Sequence, residues 1–433
     1  MVEIIKYRDT NKEELLERSI SYVDVSADVA AIIDEVKRDG DAALFRLCRL
    51  YDKADLSSLE VTGEEIDAAI NSISPELLAV IREAAENIRN FHEKQRRQGF
   101  IIAENNGIVT GQRIIPLERV GLYVPGGTAA YPSTVLMDAI PAKIAGVGEL
   151  IMTTPPRPDG TITPAVLAAA KIAGVDRIFK IGGAQAVAAL AYGTQSVPRV
   201  DKIVGPGNAY VAEAKRQVSA FTSIDMIAGP SEIVIVADNS CNPAFAAADL
   251  LSQAEHDKNA AAILITDSEE LAVSVKTELE RQLALLPRAD IARESLRANG
   301  RIIITKDICE AVDLANVIAP EHLELCVASP FDWLPKVKNA GSVFLGMYCP
   351  EAVGDYFAGA NHTLPTCGTA RFSSPLSVDD FVKKSQYTYY SREALLSSAD
   401  KITLFAEAEG LTAHAESVRV RFRKDDITPE TIK

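Results

Sequence analysis

A glutamine and a histidine three residues apart are the first pair in the sequence that could bind a metal ion. Gln253 and His256 lie in DLLSQAEHDKNAAAILIT (residues 249–266), a pattern that predicts the end of a helix followed by a buried strand. Residues three apart share a helix face, so an amide oxygen and an imidazole nitrogen could reach one ion. A helix end whose histidine compensates the helix dipole fits the same segment. Taken alone, the segment leaves both interpretations open.

A glutamate and a histidine that could transfer protons stand together further along the chain. APEHLEL (residues 319–325) places Glu321 and His322 at a predicted helix-to-strand corner. An imidazole there could act as a base, and the carboxylate could orient it or activate water. Each such residue taken alone is more often structural than functional.

The remaining candidate ligands come from two segments near the C-terminal end. PEAVGDYFAGANHTLPT (residues 350–366) is predicted to be a long irregular loop and carries Asp355 and His362, while AEAEGLTAHAE carries Glu409 and His414. Loops beyond parallel strands commonly bind ligands in open α/β sheets. Glutamine, histidine and aspartate side chains together form a nitrogen and oxygen donor set that suits Zn²⁺ without a thiolate.

Three glycine-rich segments could bind a nucleotide. VPGGTAAYPS, KIGGAQAVAAL and VGPGNAYVAEAK each join a predicted strand to a predicted helix. Backbone N–H groups at a helix N-terminus suit phosphates or a dinucleotide. None of the three matches G-x-G-x-x-G, so plain tight turns remain an alternative.

The elements that must position these residues follow an α/β pattern. KIAGV occurs at residues 143–147 and 171–175, and each copy ends a predicted helix at a glycine and leads into a strand. This period predicts right-handed βα units and a parallel sheet. A second strand series, AAAILITD, GRIIITKD, HLELCVAS and SVFLG, predicts a second open sheet, while the first hundred residues and the segment past residue 375 are predicted to be mainly helical. The expected fold class is α/β, with two open, mostly parallel Rossmann-like sheets and helical N- and C-terminal extensions.

Length and charge narrow the classes of protein. The 433 residues exceed what one hydrophobic core usually serves, so several domains are expected. A net charge of −15 argues against a nucleic-acid groove. The sequence shows no secretion signal, no apolar run of the roughly 20 residues that a membrane helix needs, and six scattered cysteines without a CxxC pair. These features predict a cytoplasmic protein with reduced thiols, without a nucleic-acid or membrane partner.

Several motifs, in their order and spacing, resemble histidinol dehydrogenases. The resemblance rests on RVGLYVPGGTAAYPSTVLM, GGAQAVAALAYGT, VDKIVGPGNAYVAEAKRQV, GPSEIVIVAD, DLLSQAEHD, APEHLEL, the GDY…NHTLPT segment and AEAEGLTAH, and it extends over roughly residues 20–420. It implies oxidation of L-histidinol to L-histidine through L-histidinaldehyde, with two NAD⁺ in two successive hydride transfers, as the final steps of histidine biosynthesis.

The resemblance also implies roles for individual residues. It implies one Zn²⁺ per subunit with Gln253, His256, Asp355 and His414 as ligands, and Glu321 and His322 as the acid/base pair. The implied substrate contacts are Ser231, Gln253, His256, His322, Asp355, Glu409 and His414. The implied NAD⁺ contacts are Tyr123, Gln185 and Asn208.

The resemblance further implies a homodimer with shared active sites, in which the tail carrying Glu409 and His414 completes the neighbour's site. The corresponding domain division has three parts. Residues 1–22 and 376–433 form extensions for dimer contacts, residues 23–118 and 233–375 form a domain carrying the metal and acid/base residues, and residues 119–232 form a domain contributing NAD⁺ contacts.

Two other functions fit parts of the same pattern. A zinc hydrolase would use the same Gln/His/Asp/His set with a nearby glutamate, but it leaves the three glycine segments unexplained. An inactive α/β binding protein would not need the candidate ligands and the Glu-His pair together. Production of NADH from histidinol and NAD⁺ would separate the oxidoreductase from both.

Overall fold

The computed structural model describes residues 2–9, 24–104, 106–126 and 130–423. These residues divide into two compact units, one formed by Met1–Arg96 and Pro116–Phe381 and the other by Arg97–Ile115 and Val382–Lys433. No helix in the described ranges is long and apolar enough to cross a membrane.

The strands are short and follow the predicted series. In chain order they are β1 Glu3–Lys6, β2 Phe100–Ala103, β3 Ile108–Pro116, β4 Arg119–Tyr123, β5 Glu149–Thr154, β6 Arg177–Lys180, β7 Lys202–Val204, β8 Ser223–Ile224, β9 Glu232–Ala237, β10 Ala261–Thr266, β11 Arg301–Ile304, β12 His322–Cys326, β13 Ser342–Leu345 and β14 Val382–Tyr390.

The α-helices among the described residues alternate with the strands through most of the first unit. In chain order they are α1 Ser26–Asp39, α2 Asp41–Leu47, α3 Gly63–Ser72, α4 Pro75–His92, α5 Pro132–Ala145, α6 Pro164–Ala173, α7 Gly183–Tyr192, α8 Ala209–Val218, α9 Pro243–Ala254, α10 Glu269–Leu283, α11 Ala289–Asn299, α12 Ile308–Ile318, α13 Pro330–Trp333, α14 Glu351–Tyr356, α15 Arg392–Ala408 and α16 Thr412–Arg419.

Two open parallel sheets in the first unit confirm the predicted fold class. One sheet has the order β6-β5-β4-β7-β8 and the other has the order β1-β11-β10-β9-β12-β13. All their paired strands are parallel. In each sheet the chain adds strands on one side and then returns to the other, which is the reversal typical of Rossmann-like sheets. The reversals lie between β4 and β7 and between β9 and β12.

The glycine stops predicted from the KIAGV repeat are confirmed. Gly146 ends α5 with φ 90° and Gly174 ends α6 with φ 81°. Both values lie in the left-handed region, which glycine enters without the steric cost of a Cβ. Each stop turns the chain directly into the next parallel strand.

The helices between residues 26 and 92 pack on the five-stranded sheet. Val29, Ile33 and Leu44 share a buried cluster with Phe179, and the buried face of α4 joins the cluster on the opposite face of the sheet. The three-part domain division stays a prediction. The helices between residues 26 and 92 share buried clusters with the five-stranded sheet, so a domain boundary between them would cut through a hydrophobic core.

Three predicted segments differ from the structure. Residues 3–6 were expected in a helical region but form an edge strand paired with β11. Residues 382–390 were also expected to be helical, yet the run of Tyr, Thr and Val favours the strand β14. The irregular loop expected at residues 350–366 contains the six-residue helix α14. The four residues of the edge strand and the six of α14 are too few to show a clear periodicity. Of the other predicted segments, residues 10–23, 127–129 and 424–433 lie outside the described residues.

The second unit is small and is built around a sheet of order β14-β3-β2. Strands β2 and β3 are antiparallel. Helices α15 and α16 follow β14, and α15 exposes the large apolar residues Leu396, Leu404 and Phe405.

Candidate active site

The imidazole of His322 is held at the start of β12 by a neighbouring strand. Its Nδ1 lies 3.0 Å from the backbone carbonyl oxygen of Glu232, the first residue of β9. Because a carbonyl oxygen only accepts hydrogen bonds, Nδ1 carries the proton and donates it. The Nε2 atom therefore presents a lone pair. It is buried and has no hydrogen-bond partner among the described residues.

Burial keeps His322 uncharged. Desolvation, together with smaller contributions from the nearby His362 and His256, lowers the pKa of His322 to about 3. An imidazole with this pKa is neutral at physiological pH and can accept a proton from a bound hydroxyl group.

Glu321 is fixed by the same residue of β9. Its Oε2 accepts a hydrogen bond of 2.9 Å from the backbone N–H of Glu232 and lies 3.8 Å from Nδ1 of His322. The N–H of Glu232 thus holds the carboxylate, while its carbonyl group holds the imidazole. The predicted pairing of Glu321 and His322 at a strand start matches this placement.

Helix α14 brings two further carboxyl groups to this region. Glu324, on β12, accepts a hydrogen bond of 3.0 Å from the backbone N–H of Glu351, the first residue of the helix. Glu351 and Asp355 are four residues apart and therefore share one helix face. The Oε1 atom of Glu351 lies 3.7 Å from Nε2 of His322. The short helix thus connects the proton-transfer pair to a second polar cluster.

That cluster has the composition of a cation site. One ligand atom from each of His256, Glu351 and Asp355 lies within 4.8 Å of the others. With its amide nitrogen facing Glu351, Gln253 donates to the two carboxylate oxygens at 2.5 and 2.6 Å. The Gln253 side chain therefore reaches the same cluster, and its carboxamide oxygen is the atom that would bind an ion if the amide turned the other way. An imidazole and carboxylates are suitable zinc ligands, so these residues fit the implied metal.

The charges in the cluster favour a bound cation. Burial raises the pKa of Glu351 well above its usual range, and the neighbouring Asp355 and Glu321 raise it further. Burial also raises the pKa of Asp355. A divalent ion would compensate the mutual repulsion of these carboxylates.

Glu351 was not singled out in the sequence, although the spacing to Asp355 in PEAVGDY was available. A loop at residues 350–366 predicts no i, i+4 relation between Glu351 and Asp355, which only a helix creates. The structure shows that Glu351–Tyr356 is helical and that Glu324 accepts from its first N–H.

His362 links the cluster to the helix after β4. Its Nδ1 donates to the backbone oxygen of Asp355 at 3.1 Å, so its Nε2, 3.2 Å from Oγ1 of Thr134, accepts from that hydroxyl group. The next residue, Thr363, donates to Asp138 at 3.0 Å. Thr134 and Asp138 both belong to α5, so this bonding ties the metal-ligand helix to the five-stranded sheet.

The other predicted substrate contacts are divided between the units. Ser231 directly precedes β9, and its carbonyl oxygen accepts from the N–H of Ala261 at the start of β10. Glu409 and His414 belong to the second unit, where both are exposed. The first unit therefore brings together Gln253, His256 and Asp355 of the four predicted zinc ligands.

A separate cavity of about 690 Å³ lies at the carboxyl ends of the five-stranded sheet and is lined by Tyr123, Gln185 and Asn208, among others. The Tyr123 hydroxyl accepts from the backbone N–H of Gly183 at 3.2 Å, and burial raises its pKa to about 12. The Asn208 side chain caps α8 by accepting from the backbone N–H of Tyr210. The size and position of the cavity suit a nucleotide.

Comparisons with known proteins agree on one family. The family model described as histidinol dehydrogenase matches residues 16–422. The histidinol dehydrogenase of Clostridium acetobutylicum is 55% identical over 395 residues, covering 91% of this chain and 92% of the relative. That of Listeria innocua is 54% identical over 402 residues, covering 93% and 94%. The crystal structure of histidinol dehydrogenase from Elizabethkingia anophelis superposes with a TM-score of 0.92 at 39% identity and covers 97% of both chains.

Proposed function

The chain belongs to the histidinol dehydrogenase family of oxidoreductases, and we propose that it oxidises L-histidinol to L-histidine through L-histidinaldehyde. Two hydrides pass successively to two NAD⁺, and one water is added between the two oxidations. In this proposal the reaction completes histidine biosynthesis in the cytoplasm. The observation that carries the proposal is the neutral, buried His322, whose Nε2 lone pair faces a cluster of metal-binding side chains.

His322 serves as the base in both oxidations. The Glu232 carbonyl fixes its tautomer, so Nε2 can take the hydroxyl proton of the alcohol as the hydride leaves carbon. The same atom takes a proton from the hydrated aldehyde in the second oxidation. The low pKa of the imidazole keeps it in the accepting form before each step.

Glu321 activates the water that hydrates the aldehyde. Its Oε2 is anchored by the Glu232 N–H, so the carboxylate stays beside the imidazole. An anchored carboxylate can accept a proton from water as the water attacks the carbonyl carbon. This assignment gives Glu321 a role in the second half-reaction alone.

Zinc is held by Gln253, His256 and Asp355, together with His414 of the partner subunit. When bound, the ion supplies a template and a Lewis acid for the nitrogen atoms of the substrate. Glu351 lies beside these ligands and orients the Gln253 carboxamide. The substrate contacts are Ser231, Gln253, His256, His322 and Asp355, with Glu409 and His414 of the partner subunit.

The homodimer in this proposal places a surface of the second unit against another copy. The exposed Leu396, Leu404 and Phe405 on α15 support this idea, because an apolar group of this size is usually covered by a partner. The two exposed candidates on the same tail, Glu409 and His414, then complete a neighbouring site.

NAD⁺ binds in the cavity lined by Tyr123, Gln185 and Asn208 and supplies the hydride acceptor. Tyr123 is neutral and offers a hydroxyl group, while Gln185 is almost fully buried. These side chains orient the cofactor through neutral hydrogen bonds.

The decisive experiment counts the NADH formed per L-histidinol consumed, with and without a chelator. Two NADH per substrate, lost on chelation and restored by Zn²⁺, is the expected result. One NADH per substrate would contradict the four-electron reaction, and full turnover after verified metal removal would contradict the role of zinc. Absence of NADH formation from the zinc-loaded protein would refute the proposal.

A further inference from the structure

Asp52 is an acidic residue in the wall of the nucleotide-sized cavity. It ends a π-helical turn, Cys48–Asp52, and lines the cavity with Tyr123 and Gln185. Its Oδ2 is buried and has no hydrogen-bond partner among the described residues. A carboxylate oxygen that is buried in this way loses its hydration without receiving a protein donor, which is costly unless a ligand supplies the donor.

The position of Asp52 relative to the sheet indicates which part of a dinucleotide it would contact. A Cβ placed on Gly182, just after β6, would lie 3.3 Å from Oδ1 of Asp52 and 2.5 Å from Cβ of Pro155, just after β5. Asp52 therefore lies next to the carboxyl ends of β5 and β6. Counted along the chain from β4, these are the second and third strands of the Rossmann-like sheet β6-β5-β4-β7-β8.

In Rossmann-like domains a carboxylate near the end of the second strand commonly accepts hydrogen bonds from the ribose of the adenosine half. Here the second strand, β5, is followed by Pro155 and Pro156, so its own end offers no carboxylate. Asp52 belongs to the helical segment Cys48–Asp52, far earlier in the chain, and supplies a carboxylate next to the end of β5.

The other end of the cavity is directed towards the proton-transfer site. Ala130 lines the cavity just before α5, and Thr134 in the first turn of α5 contacts His362 of the cluster around α14. The nicotinamide must lie on this side, since its ring receives the hydride near His322. The adenosine half then extends towards Asp52.

We propose that Asp52 accepts hydrogen bonds from the adenosine ribose hydroxyls of NAD⁺ and makes the site select NAD⁺ over NADP⁺. The carboxylate matches a 2′-hydroxyl donor and repels a 2′-phosphate. This inference rests on the proposed use of a nicotinamide cofactor and assigns the residue that determines its specificity.

The test compares cofactor binding by the zinc-loaded wild type with that of Asp52→Asn and a matched control. Asp55→Asn is the control, because Asp55 is exposed, pairs with Arg49 and does not line the cavity. Isothermal titration calorimetry measures the affinity of each protein for three ligands. These are NAD⁺, NADP⁺ and an NAD⁺ analogue that lacks the 2′-hydroxyl group of the adenosine ribose. Circular dichroism and thermal unfolding verify that each variant is folded, and Asp52→Glu tests partial rescue.

Asp52→Asn should weaken NAD⁺ binding roughly tenfold to hundredfold, as expected when a charge-assisted hydrogen bond is lost. It should also reduce the preference over NADP⁺. The analogue without the 2′-hydroxyl group should bind more weakly than NAD⁺ to the wild type and to Asp55→Asn. The two ligands should bind Asp52→Asn with similar affinity. A folded Asp52→Asn variant with wild-type NAD⁺ affinity and selectivity would overturn the inference. If the zinc-loaded wild type binds no NAD⁺, the proposed function itself fails.

Discussion

The carboxyl group of Asp52 should make the stability of the ligand-free protein depend on pH. Burial raises the pKa of Asp52 from 3.8 to about 6. At pH values below the pKa that Asp52 has in the unfolded chain, the carboxyl group is protonated in both the folded and the unfolded state. Its contribution to the free energy of unfolding is then fully present. As pH rises through the folded pKa that contribution is lost, because the unfolded chain releases the proton more easily.

The size of the effect follows from the shift. The difference between 3.8 and about 6 is about 2.2 pKa units, and at ~1.36 kcal/mol per unit the full loss is ~3 kcal/mol. Integrating both titrations places about 2 kcal/mol of this loss between about pH 4.5 and about pH 7.5. Asp52→Asn cannot ionise, so its advantage over the wild type should grow by that amount over the same interval.

The assay is urea unfolding of ligand-free protein at several pH values in this interval. Plotting the free energy of unfolding of Asp52→Asn minus that of the wild type removes the titrations that both proteins share. Asp55→Asn, on the exposed residue nearby, is the matched control for the loss of a carboxylate in this segment. A flat difference for Asp52→Asn would refute the assignment of a buried, ionisable carboxylate. A slope of the opposite sign would mean that the folded protein stabilises the charge.

Further predictions concern catalysis, metal binding and folding. His322→Asn should slow both half-reactions about 10²-fold to 10⁴-fold, whereas Glu321→Gln should mainly slow oxidation of added histidinaldehyde. Unchanged aldehyde oxidation in Glu321→Gln, measured by NADH formation, would show that its role is misassigned. Glu351→Gln should weaken zinc binding in a chelator competition without destabilising the metal-free protein, because it removes a carboxyl group whose ionisation is disfavoured by burial and by Asp355; unchanged affinity would exclude Glu351 from the site. Lys215→Met should lower the free energy of unfolding by about 3–5 kcal/mol, since it leaves the buried Asp225 without its cation. A loss below about 1 kcal/mol in urea unfolding would contradict that reading.

Local patterns in the sequence were sufficient to predict much of the fold. The helix-to-strand turns at Gly146 and Gly174 depend on a backbone conformation that glycine adopts without strain, so the residue type alone indicates the stop. The strands of both parallel sheets are short apolar runs bounded by turn residues, which are visible without any tertiary information. The pairing of Glu321 with His322 could also be predicted, because the residues are adjacent and begin a strand.

Contacts between distant segments decided the rest of the site. The sequence showed Gln253 and His256 as one possible pair, but only the packing of α14 brings Glu351 and Asp355 to them. The tautomer of His322 depends on the carbonyl group of Glu232, ninety residues earlier in the chain. Asp52 gave no local signal, because its meaning comes from a cavity formed by later strands.

The physical reason for this division is the range of the interactions involved. Backbone preferences and apolar periodicity act over a few residues, so the sequence by itself determined the two parallel sheets and the helices that follow most of their strands. The protonation state of a histidine, the helicity of six residues and the burial of one carboxylate depend on partners that only tertiary folding supplies. Glu324 illustrates this dependence, since its carboxylate on β12 accepts from the first N–H of α14 and so fixes the helix that carries Glu351 and Asp355.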